Sequence, residues 1–91
     1  MKILFIMSGF LPGKKFGGPP ISVDNFCSLM KEDECFIVTR NHDMGETEIY
    51  KDIKAGWNDR GNCKVLYLSD KEYGYRKYEE VIKEINPDVI Y

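Results

Sequence analysis

KILFIMSGFLPGKKFGGPPISVDNF, residues 2–26, joins an apolar run to a loop of glycines, prolines and lysines and then to an amphipathic segment. The run Lys2–Met7 is rich in β-branched and aromatic residues without polar alternation, which is typical of a strand buried on both faces. Beyond the loop, helical spacing links Val23, Phe26, Cys27 and Met30. A strand, a glycine-rich turn and a helix in this order predict the first unit of a parallel α/β sheet.

The rest of the chain repeats this alternation. Glu34–Thr39 and Lys64–Leu68 are predicted as further buried strands, and Asp88–Tyr91 begins a fourth. A second helical stripe comes before Pro87 and consists of Tyr78, Val81, Ile82 and Ile85. Right-handed crossovers then predict an α/β, Rossmann-like parallel sheet in the order 3-2-1-4 with flanking helices. The polar segment Arg40–Asn62 has no sustained period and is predicted to be a long loop.

Length and charge narrow the possible partners. Ninety-one residues make one small domain at most, and a net charge of −2 gives no reason to expect nucleic acid as a partner. No apolar run approaches the ~20 residues of a membrane span, so a cytoplasmic location is expected. Because the chain stops inside a predicted strand, residues 1–91 are expected to be the amino-terminal portion of a larger domain. Exposed strand edges then favour self-association of the fragment.

The three cysteines are expected to be reduced and structural, since their number is odd and their spacing fits no CxxC pair. Cys27 lies on the predicted helix stripe and Cys35 opens a predicted strand, so both are expected to be buried. Cys63 is predicted to be a half-exposed loop thiol.

The glycine loop follows the first strand, where ligands bind in doubly wound folds. Its four glycines fit neither the dinucleotide-binding fingerprint nor the P-loop: they are Gly9, Gly13, Gly17 and Gly18. Gly17 and Gly18 leave the backbone bare for close approach of a ligand, with the Ser22 hydroxyl beyond. The alternative is a purely structural turn, and spacing alone does not separate the two.

The segment MKILFIMSGFLPGKKFGGPPISVDNF resembles the amino-terminal end of retaining GT-B glycosyltransferases of the glycosyl transferase group 1 (family 4) type. The similarity continues in FIVTRNHDMGETEIY, GNCKVLYLS and INPDVIY, and so covers nearly the whole chain. The resemblance implies a two-domain enzyme of which this chain is an incomplete half of the acceptor-side domain. It also implies that Gly17 and Gly18 approach the diphosphate and sugar of the donor.

The same resemblance implies transfer of a sugar from a nucleotide-sugar donor to a saccharide or lipid-linked acceptor, without a metal or other cofactor. Peripheral membrane association of the full-length protein fits such an acceptor. The nucleotide-sugar domain and its catalytic groups lie outside these 91 residues, so no catalytic residue is assigned here. The isolated fragment is therefore expected to be inactive, because only one wall of the reaction cleft is present.

Further residues are candidates for substrate binding. Lys14 and Lys15 have ammonium groups that suit phosphate, although solvated loop lysines are the alternative. Arg40 and Asp43 follow the second strand and are suited to acceptor hydroxyls, or belong to an ordinary surface loop. His42 is the only histidine; a solvent-exposed side chain is favoured over a general base.

Two other functions remain open from the sequence. In a dinucleotide-binding oxidoreductase, Arg40 would accept the 2′-phosphate of NADP, but the glycine spacing argues against this. A non-catalytic binding module on the same scaffold is the other alternative, because a fold does not fix a function.

Overall fold

The structure is a computed structural model that describes the whole chain, residues 1–91. Five strands and two helices follow one another in the order β1 (Lys2–Ile6), α1 (Gly18–Leu29), β2 (Glu34–Arg40), β3 (Trp57–Asp59), β4 (Lys64–Leu68), α2 (Tyr75–Ile85) and β5 (Val89–Ile90). The predicted α/β class is therefore confirmed. Neither helix has the length and apolar composition needed to cross a bilayer.

The five strands form one mixed sheet in the order β3-β4-β2-β1-β5. β1 pairs in parallel with β2 and β5, and β2 pairs in parallel with β4. β3 is antiparallel to β4, so the prediction of an all-parallel sheet is wrong at this edge. The predicted loop Arg40–Asn62 is also corrected, because Arg40 ends β2 and Trp57 begins β3. Trp57 packs edge-on against Phe36 with ring centroids 5.5 Å apart.

Side chains alternate between the two faces of the sheet and build a core on each side. The α1 face holds nine buried residues: Ile3, Phe5, Phe10, Cys27, Cys35, Ile37, Cys63, Val65 and Tyr67. The α2 face holds seven: Leu4, Phe36, Val38, Leu66, Leu68, Val81 and Ile85. A strand buried on both sides needs no polar alternation, which explains the continuous apolar runs in the sequence.

The two helices are bounded by different sequence signals. α2 buries Val81 and Ile85 on the sheet and ends at Asn86, which adopts a left-handed conformation with φ 52°. α1 begins at Gly18, five residues before the predicted stripe, because Pro19 and Pro20 fit the first turn of a helix.

The burial of Cys63 differs from the expectation. Cys63 is 4% exposed and lies in the core of the α1 face, where the sequence predicts a half-exposed loop thiol. Cys27 and Cys35 are buried as predicted, and all three cysteines are free. The residue directly before β4 thus belongs to the core, although Gly61 in the same turn is exposed.

Candidate functional site

Polar groups from three chain segments meet at the carboxyl ends of β1, β2 and β4. Arg40, the last residue of β2, donates from Nε to Asp70 Oδ1 over 3.1 Å. Its Nη1 donates to the carbonyl oxygen of Ser8, which follows β1, over 3.3 Å. The guanidinium lies 4.2 Å from the ring centroid of Tyr73, in cation–π geometry. Arg40 therefore ties the segments after β1, β2 and β4 together.

His42 binds the same carboxylate. Its Nε2 lies 2.9 Å from Asp70 Oδ1, and its Nδ1 lies 2.9 Å from the carbonyl oxygen of Asp43. Both partners are acceptors, so both ring nitrogens donate, which the imidazolium form satisfies. The Asp43 carbonyl, followed by the Asp70 carboxylate, raises the pKa of His42 above 6.5. The expectation of a merely solvent-exposed histidine is wrong, since the ring is 16% exposed and bonded on both sides.

Asp70 has the complementary shift. The hydrogen bond from His42, supported by the charges of His42 and Arg40, lowers the pKa of the Asp70 carboxyl below 3.8. The cluster Arg40–His42–Asp70 therefore carries two positive charges and one negative charge when His42 is protonated. The cluster therefore presents the N–H donors of Arg40 and His42 beside the acceptor oxygens of Asp70.

Asp43 organises the glycine loop. Its Oδ2 accepts the amide of Lys14 over 3.1 Å, and its Oδ1 accepts the amides of Lys15 (3.2 Å) and Met44 (2.8 Å). Desolvation raises the pKa of this carboxyl, but the three amide bonds outweigh it and leave the pKa below 3.8. Asp43 thus fixes the backbone between the first strand and α1. Both carboxylate oxygens are engaged in doing so, although each has room for a further donor.

The two loop lysines differ in their surroundings. The Lys15 ammonium lies 3.3 Å from the carboxylate of Glu46, and both side chains are about half exposed. Lys14 is exposed and lines an open groove with Asp43, Glu46 and Tyr50. Both side chains are exposed, and the ammonium group of Lys15 is already paired with Glu46.

The four loop glycines fall into two groups. A Cβ at Gly9 would lie 2.1 Å from the ring of Phe16, and a Cβ at Gly13 would lie 2.3 Å from the hydroxyl of Tyr50. These two glycines are bare because neighbouring side chains fill the space. A Cβ at Gly17 or Gly18 would meet no atom within 4 Å. The space in front of these two residues is open.

Gly17 and Gly18 differ in their backbone. Gly17 caps α1 with φ 77° and ψ −143°, a conformation that only glycine adopts readily, so its identity has a conformational reason. Gly18 is not at positive φ and has no packing neighbour. Since Pro19 and Pro20 lack amides, and Ile21 and Ser22 donate within the helix, Gly17 and Gly18 supply the free amides at this helix start. Ser22 is exposed and lies just beyond the first turn of α1.

A groove of about 470 Å³ opens beside these groups. It is lined by Ser8, Phe16, Arg40, His42, Met44, Gly45 and Asp70. The volume lies within the range of sites for small molecules, ~300–1,000 Å³. The groove contains the charged cluster, and Phe16 directly precedes Gly17. Ser8 and Phe16 from the loop after β1 therefore line one groove with residues that follow β2 and β4, whereas Gly17 and Gly18 are not among its lining residues.

The structure brings together part of the predicted site. Arg40 and Asp43 lie beside the glycine loop, as the carboxyl-end rule for parallel sheets suggests. Asp70 and Tyr73, which follow the third predicted strand, were not predicted as part of this site from the sequence. The same rule applied to Lys64–Leu68 would have pointed to Asp70, two residues beyond that strand.

Comparison of the chain with family models, curated proteins and solved structures gives no match. The glycosyltransferase interpretation therefore depends on the residues quoted above and on the geometry of this site. No group of three or more histidine, cysteine or acidic side chains is arranged to hold a metal ion.

Proposed function

We propose that this chain is the acceptor-side wall of a retaining glycosyltransferase of the GT-B type, with a Rossmann-like sheet in an incomplete amino-terminal domain. The complete enzyme would move a sugar from a nucleotide-sugar donor to a saccharide or lipid-linked acceptor. The observation that carries the proposal is Gly18. This residue is bare at a helix start at the carboxyl end of the sheet, with neither positive φ nor a neighbouring atom to require it.

Binding of a ligand would explain why glycine is required at position 18. Free amides at a helix start favour an anion, because the unpaired N–H groups and the helix dipole both present positive charge. The diphosphate of a nucleotide sugar is such an anion, and its oxygens would need the space that a side chain at Gly18 would occupy. Lys14 and Lys15 suit its remaining charge, and Ser22 a sugar or phosphate oxygen.

The proline that follows Gly18 is a competing explanation for glycine at this position. A residue before proline is disfavoured in helical conformation because its Cβ meets the proline ring, and Gly18 precedes Pro19. Pro19 itself stands in the helix before Pro20, so this turn already accommodates a side chain in that position. The proline effect is therefore a modest cost in stability and does not by itself require glycine.

The charged cluster suits the other part of the reaction. Arg40 and His42 present N–H donors at the groove, and Asp70 presents acceptor oxygens beside them. Sugar hydroxyl groups both donate and accept, so a mixed set of charged groups can orient them. The cluster and Asp43 would thus position the acceptor through hydrogen bonds. No residue of the chain is required to form a covalent bond with it.

The proposal is tested by titrating the isotopically labelled chain with UDP-glucose, GDP-mannose and ADP-glucose while recording backbone amide spectra. At least one of them should shift the amides of Gly17 and Gly18 at millimolar concentration. Gly18→Val should weaken that binding by at least about tenfold. Gly74→Val is the matched control, because Gly74 also lies at the start of a helix and a Cβ there also meets no atom within 4 Å.

Binding that survives Gly18→Val in a folded chain would leave the loop as a structural turn. In the complete enzyme the same substitution should lower turnover by at least about a hundredfold, because a preorganised donor to developing charge is displaced. Its melting temperature should change by only a few degrees. Turnover per folded molecule that stays near normal would contradict the proposal.

A second candidate function is favoured by the position of Arg40. An arginine at the end of the second parallel strand is where the 2′-phosphate of NADP binds in dinucleotide-binding domains. NADPH in the same titration decides this point, since shifts near Arg40 with NADPH and none with any nucleotide sugar would favour this function. A binding module without catalysis would bind a ligand but show no transfer in the complete protein.

We also infer a cytoplasmic location, which the three free thiols support because reduced cysteines persist there. Peripheral association of the complete protein with a membrane would follow from a lipid-linked acceptor.

A further inference from the structure

Phe16, in the glycine loop, is the one phenylalanine whose position no core explains. Phe5, Phe10 and Phe36 are buried in the two cores of the sheet, and Phe26 packs edge-on against Phe5. Phe16 is half-buried, belongs to neither core cluster and pairs with no other aromatic ring. An aromatic side chain carries a large apolar surface, and neither core uses the surface of this one.

The ring of Phe16 nevertheless has a defined place on the backbone. A Cβ at Gly9 would lie 2.1–2.3 Å from three atoms of this ring, and a Cβ at Gly13 would lie 3.0 Å from one of the same atoms. Both glycines are buried and neither has a positive φ, so the backbone conformation alone would allow a side chain at either position. Gly9 is therefore bare because the ring of Phe16 lies over it.

Phe16 lines the same groove as the charged cluster, and the cluster keeps one unpaired donor and one unpaired acceptor. Arg40 donates from Nε and Nη1, so its Nη2 has no partner in the chain. Asp70 accepts the bonds from Arg40 and His42 at Oδ1, so its Oδ2 has none. The Asp70 side chain is 67% exposed and that of Arg40 is 35% exposed. An aromatic ring and unpaired polar groups therefore border one space.

A sugar ring has the complementary chemistry. A pyranose carries C–H groups on its faces and hydroxyl groups on its rim, and each hydroxyl group both donates and accepts. The C–H groups can pack on the face of an aromatic ring, which carries partial negative charge. A lipid chain would instead need a continuous apolar lining, and only Phe16 and Met44 supply apolar side chains to this groove.

We propose that Phe16 is the platform on which the sugar ring of the acceptor lies, with its C–H face on the phenyl ring and its hydroxyl groups bonded to Arg40 and Asp70. The inference depends on the proposed function only in treating this sugar as the acceptor. Phe16 then makes the groove specific for a cyclic sugar over an open-chain polyol with the same hydroxyl groups. Gly9 acts through the ring and is a positioning residue.

The experiment titrates the folded 91-residue chain, with carbon-13 in its phenylalanine rings, with methyl β-D-glucopyranoside, methyl α-D-mannopyranoside and methyl β-D-galactopyranoside. At least one glycoside should shift the ring signals of Phe16 and of the single histidine, His42, at about 10–100 mM, the affinity range of a small ligand held by few contacts. D-glucitol is the matched control ligand, because it has hydroxyl groups but no ring, and it should shift neither signal.

Two variants and one control variant test the platform. Phe16→Leu keeps an apolar side chain but removes the flat ring, so it should weaken glycoside binding by about three- to tenfold. Gly9→Ala places a methyl group where the ring lies and should weaken binding similarly, although Gly9 does not line the groove. Phe26→Leu is the matched control, because Phe26 is 36% exposed and lies outside the groove, and it should leave binding unchanged.

The wild-type titration decides the question even where a variant fails to fold. The proposal would be overturned if no glycoside shifted the Phe16 signal, if D-glucitol shifted it equally, or if uridine, adenosine or guanosine shifted it and the glycosides did not. Glycoside binding that survives Phe16→Leu in a folded chain would also overturn it.

Failure of this inference can be distinguished from failure of the proposed function, because the two titrations report on different residues. Glycoside binding at Phe16 without any shift of Gly17 and Gly18 by nucleotide sugars would keep the sugar platform and contradict the glycosyltransferase. Shifts of Gly17 and Gly18 by a nucleotide sugar, without any effect of glycosides on Phe16, would keep the glycosyltransferase and reject the platform.

Discussion

The starts of α1 and α2 look alike but have different roles. Each follows a parallel strand, each is capped by a glycine without a side-chain hydrogen bond, and a Cβ at either cap would meet no atom within 4 Å. The turn before α2 is closed by reciprocal bonds, in which Ser69 Oγ donates to Glu72 Oε1 over 2.9 Å and accepts from the Glu72 amide over 3.3 Å. The loop before α1 is held instead by Asp43, which lies in the segment after β2 and accepts the amides of Lys14 and Lys15.

The two helices also differ in which side chains they bury. α2 buries Val81 and Ile85 on the sheet, whereas α1 buries Pro20 and Cys27 and leaves Ile21 55% exposed and Leu29 80% exposed. α2 is thus a structural helix whose sequence serves the core. α1 presents bare backbone at its first turn and contributes less to the core.

The largest expected effect compares the same substitution in both helices. Ile85→Ala removes buried methyl and methylene groups and leaves a cavity, so the free energy of unfolding should fall by about 2–4 kcal/mol. Ile21→Ala removes the same atoms from an exposed position and should change it by less than about 0.5 kcal/mol. Urea titrations of both variants measure this contrast. Equal losses would show that α1 is as much a part of the core as α2.

A smaller effect is expected at the two caps. Gly17 has φ 77° and ψ −143°, so Gly17→Ala should cost about 1–3 kcal/mol of stability through backbone strain. Gly74 has φ 167° and ψ −174°, an extended conformation open to any residue, and Gly74→Ala should stay within about 0.5 kcal/mol. Thermal unfolding of the pair tests whether the two caps differ as described. A harmless Gly17→Ala would remove the conformational reason for that glycine.

The smallest effect concerns the cluster that bridges the two helix starts. The pKa of His42 should lie above 6.5, and Asp70→Asn should lower it, because one of the two acceptors loses its charge. Proton titration of the ring by NMR measures both values, and the single histidine makes the assignment unambiguous. If Asp70→Asn left the pKa of His42 unchanged, Asp70 and the turn before α2 would not be part of the candidate site.

The pH dependence of this pair follows from the signs of the shifts. The raised pKa of His42 contributes stability that is present below pH 6.5 and is lost as the pH rises through the folded value. The lowered pKa of Asp70 contributes stability that is present above pH 3.8 and is lost as the pH falls through the folded value. Both contributions are complete between these limits. Asp70→Asn should flatten this dependence.

The α/β class and four of the strands could be predicted because their signals are local. Continuous apolar runs and a helical stripe each report the burial of their own residues. β3 was missed because three residues, two of them polar, show no period, and the strand exists through its pairing with β4. Cys63 was misplaced for the same reason, since its burial depends on α1 and not on its neighbours in sequence.

The site was predictable in position but not in its bonds. Gly17 and Gly18 could be identified from composition and from the place of a loop after the first strand. The partners of Arg40 and His42 could not, because Asp70 is 30 and 28 residues away and no spacing rule joins them. Which loop glycines are filled by side chains and which face open space likewise required the packed structure.

The position of β1 between β2 and the edge strand β5 has a consequence for synthesis on the ribosome. This strand emerges first, yet its neighbour on one side, β5, is made of residues 89–90, which pair with Ile3 and Leu4. Until those residues leave the exit tunnel, one edge of β1 has unpaired backbone groups beside apolar side chains, and such a surface is prone to aggregation. Nascent chains stalled between β4 and β5 should therefore be the species that chaperones hold most strongly.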